Sequence, residues 1–171
     1  LNGPARLASM AVALNQAYVL QAPLSHVHAL RAGLLDGLRY HGPALFCVYA
    51  PDTDNGTAGA SYLRAAAAAE SRFFPVLVFD PSRGESMAER VDIAQNPQPA
   101  ASWPVASFAF RNAGGDEATT EIAFTPADFL FCDRRFAGHF WPLDATRWHE
   151  SLTPVHEYLE MGEKAAGRIP Y

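Results

Sequence analysis

The sequence predicts an α/β fold: a partial doubly wound parallel sheet in βαβαβ order, followed by a C-terminal β-hairpin and short helices. Ala44–Tyr49 and Phe73–Phe79 are apolar runs almost without polar alternation, the pattern of strands buried on both faces of a helix-covered sheet. Between them, Tyr62–Ser71 has the length and alanine content of a helix, so strand, helix and strand form one crossover between parallel neighbours. Beyond Asp80 the text turns rich in proline and glycine. An α/β segment over residues 1–98 is therefore expected to give way to a hairpin and helical appendage over 99–171.

The elements follow in chain order. Leu7–Leu14 carries apolar residues at helical spacing, and Tyr18–Gln21 reads as a short buried strand. Ser25 is the expected N-cap of the next helix, because its hydroxyl can accept a free backbone N–H. Val27, Leu30, Leu34, Leu35 and Leu38 then mark one helical face, opposite Arg31, Asp36 and Arg39. Gly42-Pro43 ends that helix. Pro81–Gly84 reads as a turn and Asn96–Pro99 as a rigid connector. Val105–Phe110 and Thr119–Phe124 flank Asn112–Asp116, a hairpin with a longer loop. Thr125-Pro126 gives a helix start with threonine as cap and proline in the first turn, and Thr153-Pro154 repeats the device before Val155–Met161.

Bulk properties narrow the class. The chain has 171 residues, 49% hydrophobic and 18% charged, which suits one soluble globular domain or slightly more. A net charge of −5 supplies no basic surface for nucleic acid. No apolar stretch approaches the roughly 20 residues that cross a bilayer, so no membrane partner is expected. Cys47 and Cys132 lie far apart outside any paired motif, which fits a reducing compartment, and the cytoplasm is the expected location. A helical pattern begins almost at Leu1, with no methionine and no leader before it, as expected of a fragment, a processed product or a split subunit.

Gly42-Pro43-Ala44-Leu45-Phe46, then Tyr49-Ala50-Pro51, then Glu70-Ser71-Arg72-Phe73-Phe74-Pro75 and Asp80-Pro81 resemble the pyruvate:ferredoxin (flavodoxin) oxidoreductase family, in the later part of its thiamine-diphosphate domain. Ala17–Gln21 stands where that family has a short strand and Val27–Tyr40 where it has a helix. Glu121–Phe129 and Pro154–Leu159 resemble the tail of one bacterial branch, so the likeness runs from about Leu7 to the end. The resemblance implies a segment or subunit of a 2-oxoacid oxidoreductase. Such an enzyme decarboxylates pyruvate or a relative on thiamine diphosphate with Mg²⁺, passes electrons through iron–sulfur clusters to ferredoxin or flavodoxin, and gives the acyl group to coenzyme A.

The loop after the second apolar strand is the expected site, because open α/β sheets bind ligands beyond the carboxyl ends of their strands. Tyr49, Asp52, Asn55 and Gly56 are its candidate cofactor-facing residues. As a metal site the loop fails: a calcium loop closes on glutamate where this chain has Leu63. An ordinary polar loop is the simpler reading. The resemblance also exposes two departures. Asp52 occupies the place of a family cysteine that ligates a cluster, and aspartate is a poor substitute for thiolate. The family's Gly-Asp-Gly motif and its following asparagine, hard oxygen ligands for Mg²⁺, have no counterpart, since Gly115-Asp116 runs into Glu117 within a hairpin loop. The chain alone is thus expected to bind neither thiamine diphosphate nor a metal tightly, and its clusters would come from other segments.

The remaining candidates favour structure over chemistry. His26 and His28 point different ways on a helix, and His139, His149 and His156 lack acidic or cysteine partners at ligand spacing. Ser86 lacks the second glycine of a hydrolase elbow. Arg134-Arg135 could meet a phosphate but reads first as a solvated helix end, and Phe136, Phe140, Trp141 and Trp148 read as anchors for the tail. Catalytic residues are therefore unassigned. Under either the oxidoreductase reading or its alternative, a non-catalytic assembly module derived from that family, a short parallel sheet needs a partner, either more of the same enzyme or further copies of the chain. A third reading is a free-standing α/β domain that binds a small molecule through the Asp52–Gly56 loop.

Overall fold

Every residue of Tyr18–Pro23 (β1) is buried, and the first half of the chain is organised around that strand. The computed structural model describes residues 3–51, 58–112, 114–133, 135–143, 146 and 148–171, and the chain divides into two units between Ser102 and Trp103. In the first unit β1 pairs in parallel with Ala44–Tyr49 (β2), from Tyr18 opposite Ala44 to Pro23 opposite Tyr49. On its other side it pairs with Leu77–Phe79 (β3), which in turn pairs with Val91–Asp92 (β4), giving a four-stranded sheet in the order β2-β1-β3-β4.

The fold is α/β, and β1, the helix Val27–Arg39 (α2) and β2 form a parallel crossover. The crossover expected from Ala44–Tyr49 through Tyr62–Ser71 to Phe73–Phe79 does not form, because β3 pairs with β1 and not with β2. The all-parallel doubly wound sheet is corrected: β3 runs antiparallel to β1, and β4 antiparallel to β3. An apolar run carries no mark of direction, so periodicity alone is blind to this. The third strand is also shorter than Phe73–Phe79. Pro75 has no N–H to give a ladder, and the Asn96 side chain takes both main-chain groups of Val76, donating to its carbonyl at 2.7 Å and accepting its N–H at 2.8 Å. Pairing begins only at Leu77. Burial on both faces holds for β1 but not for β2, where Ala44 and Val48 are exposed, because β2 is the sheet's edge.

Helix α2 seats on the β1 face that carries Tyr18 and Leu20. Two glycines permit the approach: a Cβ on Gly37 would lie 2.5 Å from the Phe46 ring and 2.7 Å from the Tyr18 ring, and one on Gly33 would lie 2.6 Å from a Leu20 methyl. The Tyr18 hydroxyl donates to the Gly33 carbonyl at 2.9 Å, tying strand to helix inside the core. The N-cap of α2 is His26 rather than Ser25, whose hydroxyl sits 3.1 Å from the His26 ring Nδ1 instead of on a helix N–H. On the opposite face of β1, Val19 and Gln21 are buried as well, and the helices Gly3–Leu14 (α1) and Ala58–Glu70 (α3) also contact this strand. Ala65, Ala68 and Ala69 give α3 a flat buried stripe. Arg72, just beyond α3, adopts a positive φ of 59°. Its guanidinium donates to the carbonyls of Pro97 and Gln98 at 2.6 and 2.8 Å, binding the proline-rich connector. The short helix Met87–Arg90 (α4) joins β3 to β4.

The second unit carries the predicted hairpin. Val105–Arg111 (β5) pairs antiparallel with Glu117–Ala123 (β6) from Val105 opposite Ala123 to Arg111 opposite Glu117. Asn112 closes the turn, its side-chain oxygen accepting the N–H groups of Gly114 and Asp116 at 2.9 and 3.0 Å, while Gly115 takes φ 86°. Pro126–Phe131 (α5) starts as the sequence predicts: the Thr125 N–H and hydroxyl both donate to Asp128 at 2.7 Å. Val155–Met161 (α6) does not repeat the device, for its N-cap is Pro154. Thr153 instead belongs to Leu152–Thr153 (β7), which pairs in parallel with Ile169–Pro170 (β8).

Gly37→Ala should destabilise the chain by about 1–3 kcal/mol in urea unfolding, since two aromatic rings must move, and Gly33→Ala by less, since a leucine end can rotate away. Asn96→Ala should cost about 2–4 kcal/mol by leaving the buried N–H and C=O of Val76 unpaired, measured the same way.

Candidate functional site

The parallel pair β1–β2 ends at Pro23 and Tyr49, and Tyr49 is the candidate residue found at that end. The Leu24 N–H donates to the Tyr49 carbonyl at 3.1 Å, and the His26 N–H donates to that of Pro23 at 3.0 Å, so the strand turns into α2 beside the last residue of β2. The half-buried Tyr49 ring lies 5.5 Å from that of Phe74 and edge-on to Phe73 at 6.5 Å. Tyr49 thus stands at the predicted place, with its ring packed among aromatic neighbours. Asp52, Asn55 and Gly56 lie outside the described residues.

Cys47 is buried in β2, and burial pushes its thiol up from its ordinary value. A cluster ligand must be a thiolate, so this environment opposes ligation. Cys132 is exposed at the end of α5, in the other unit. Among the described residues, no group of three His, Cys, Asp or Glu side chains is placed to hold a metal. Asp116 closes the β5–β6 turn through its backbone. Ser86 caps α4: its hydroxyl accepts the Glu89 N–H at 3.3 Å while the Glu89 carboxylate accepts the Ser86 N–H at 2.9 Å, and these bonds hold the Glu89 carboxyl below its usual range. Arg135 is engaged by Asp133 at 2.6 Å, and Trp148 meets Tyr171 edge-on at 4.8 Å. Trp141 is 84% exposed and so is not packed as an anchor among the described residues.

Two features escaped the sequence. Arg83 stands between Asp80, just past β3, at 3.5 Å, Asp36 of α2 at 3.9 Å and Asp92 of β4 at 4.0 Å. The pairs with Asp36 and Asp92 are solvent-exposed and contribute little each, while the Asp80 side chain is more shielded. In the second unit, a cleft of about 440 Å³ is lined by β6, α5, the start of α6, Phe140 and Tyr171. Its residues are too scattered in sequence for spacing to reveal it, although the hairpin, the Thr125 cap and the helix from Val155 were legible one by one. No helix among the described residues is long and apolar enough to cross a membrane. No protein-family model and no curated protein matches this chain.

Tyr18 provides a titration test of the core. Burial pushes its hydroxyl from 10.0 to about 12, with the nearby Asp36 charge acting in the same direction. The folded chain therefore keeps a proton that the unfolded chain has lost, so this stabilisation is complete below pH 10.0 and disappears as pH rises through about 12. Urea midpoints should fall across that window. Tyr18→Phe should be less stable by about 1 kcal/mol at neutral pH yet lack this part of the alkaline decline.

Proposed function

We propose that the chain is a structural segment or subunit of a 2-oxoacid:ferredoxin or flavodoxin oxidoreductase, working in the cytoplasm and contributing sheet to a domain whose cofactor-binding half is other polypeptide. The single observation that carries this reading is β2. It is an apolar strand, Ala-Leu-Phe-Cys-Val-Tyr, at the edge of the sheet, parallel to its neighbour and bordered by no further strand among the described residues. Parallel strands of this composition belong inside sheets. Leu7, Met10 and Leu14 of α1 and Tyr62 and Leu63 of α3 are also exposed, which leaves apolar helix surface for a neighbour to cover.

The described residues do not fit thiamine diphosphate and its Mg²⁺. No group of three His, Cys, Asp or Glu side chains among them is placed to hold a metal, and the nearest sequence likeness to the metal motif, Gly115-Asp116, is spent on a hairpin turn. Decarboxylation and electron transfer are accordingly assigned to the partner polypeptide. The role of this chain is to complete the sheet and to bring the Tyr49 loop to its carboxyl edge. A second reading, a non-catalytic assembly module, is favoured by Asp52 standing where a cluster cysteine would be.

Co-expression with a family polypeptide that carries the Gly-Asp-Gly half of the domain should yield a stable complex that binds thiamine diphosphate and Mg²⁺ in calorimetry, while the chain alone gives no heat. Failure to form a complex counts against both readings. A complex without cofactor or iron leaves only the assembly module.

A further inference from the structure

The outer edge of β6 presents backbone groups that no described residue of the second unit uses. The Phe124 N–H bonds the Pro104 carbonyl and the Asn112 N–H bonds the Asp116 carbonyl, each at 3.0 Å, which fixes the phase of the ladder. Ala106–Ile122, Phe108–Thr120 and Phe110–Ala118 are then its hydrogen-bonded pairs, and the alternate residues Glu121 and Ala123 direct their N–H and C=O away from β5. Among the described residues none bonds these groups.

That edge opens onto the cleft of about 440 Å³, whose wall on this side is the run Thr120–Ala123. Successive strand residues point to opposite faces, so consecutive ones line a single cleft only if it runs along the strand's edge. Phe131 and Phe140, edge-to-face at 5.4 Å, supply an aromatic wall. The charged lining is acidic, from Glu121 and Asp128, with no lysine or arginine among the described lining residues.

We propose that the β6 edge binds an extended peptide as an added strand, one whose side chains alternate apolar and basic. Its main chain would pair with Glu121 and Ala123, supplying alternating donors and acceptors that a compact small molecule does not. Its apolar side chains fall on the face of Thr120 and Ile122, and its basic ones on the face of Glu121. Charge decides against a second copy's β6 as occupant, because antiparallel self-pairing about Glu121 sets like charges opposite each other.

The test uses the full isotope-labelled chain and the peptide acetyl-Ser-Val-Lys-Val-Arg-Val-Ser-amide. Saturable binding should slow hydrogen exchange at the Glu121 and Ala123 amides by at least about tenfold. Glu121→Lys should weaken binding by about tenfold and shift preference to the counterpart peptide with glutamate in the basic positions. Ala123→Pro deletes an outward N–H, spares the β5–β6 ladder and should weaken binding without changing circular dichroism. The proposal is overturned by unchanged exchange at the two amides, or by equal binding of the peptide N-methylated at its three valines and both basic residues, a control that blocks pairing in either strand direction and needs no variant to fold. Concentration-dependent protection of the same amides without peptide would also overturn it, identifying a second copy as the occupant.

Discussion

The double-sided burial of β1 is the constraint from which the first unit follows. A strand with no exposed residue needs a ladder on each edge and helices on both faces. The chain meets the first demand with β2 and β3, and α1, α2 and α3 all contact the strand. The closest contact is that of α2, where Gly33 and Gly37 let the helix backbone down onto Leu20, Tyr18 and Phe46. At that depth the Tyr18 hydroxyl has no water, and the Gly33 carbonyl takes its place. Packing and polar satisfaction are therefore one arrangement here.

Much of this was legible because it is periodic. The apolar run Ala44–Tyr49, the helical spacing from Val27 to Leu38 and the hairpin around Asn112–Asp116 are local signals, and local physics suffices to read them. Thr125 and Asp128 are three residues apart, so their reciprocal cap is also a local matter. What stayed hidden depends on residues distant in sequence. The direction of β3 is set by pairing with β1, not by its own composition. Asn96 lies in text that reads as a connector, yet its amide completes the backbone of Val76. The strands β7 and β8 are too short for any period to register.

Of the candidate residues, Tyr49 closes β2, as the apolar run Ala44–Tyr49 implied. The polar residues beyond it lie outside the described residues, and Cys47, one residue type that could have drawn a metal reading, is held in the core as a thiol. Oxidoreductase chemistry enters through likeness of sequence, whereas the β6 edge enters through geometry, and the two stand independently.

The sheet's two margins differ in kind. Beyond β3, among the described residues, lies only β4, two residues long and ending in Asp92, whose carboxylate accepts the Ala94 N–H as the chain turns away. The other margin is the whole six-residue length of β2. Such an object has a polarity: strands can be appended along one border and hardly at all along the other, so any assembly that extends this sheet must grow outward from Ala44–Tyr49.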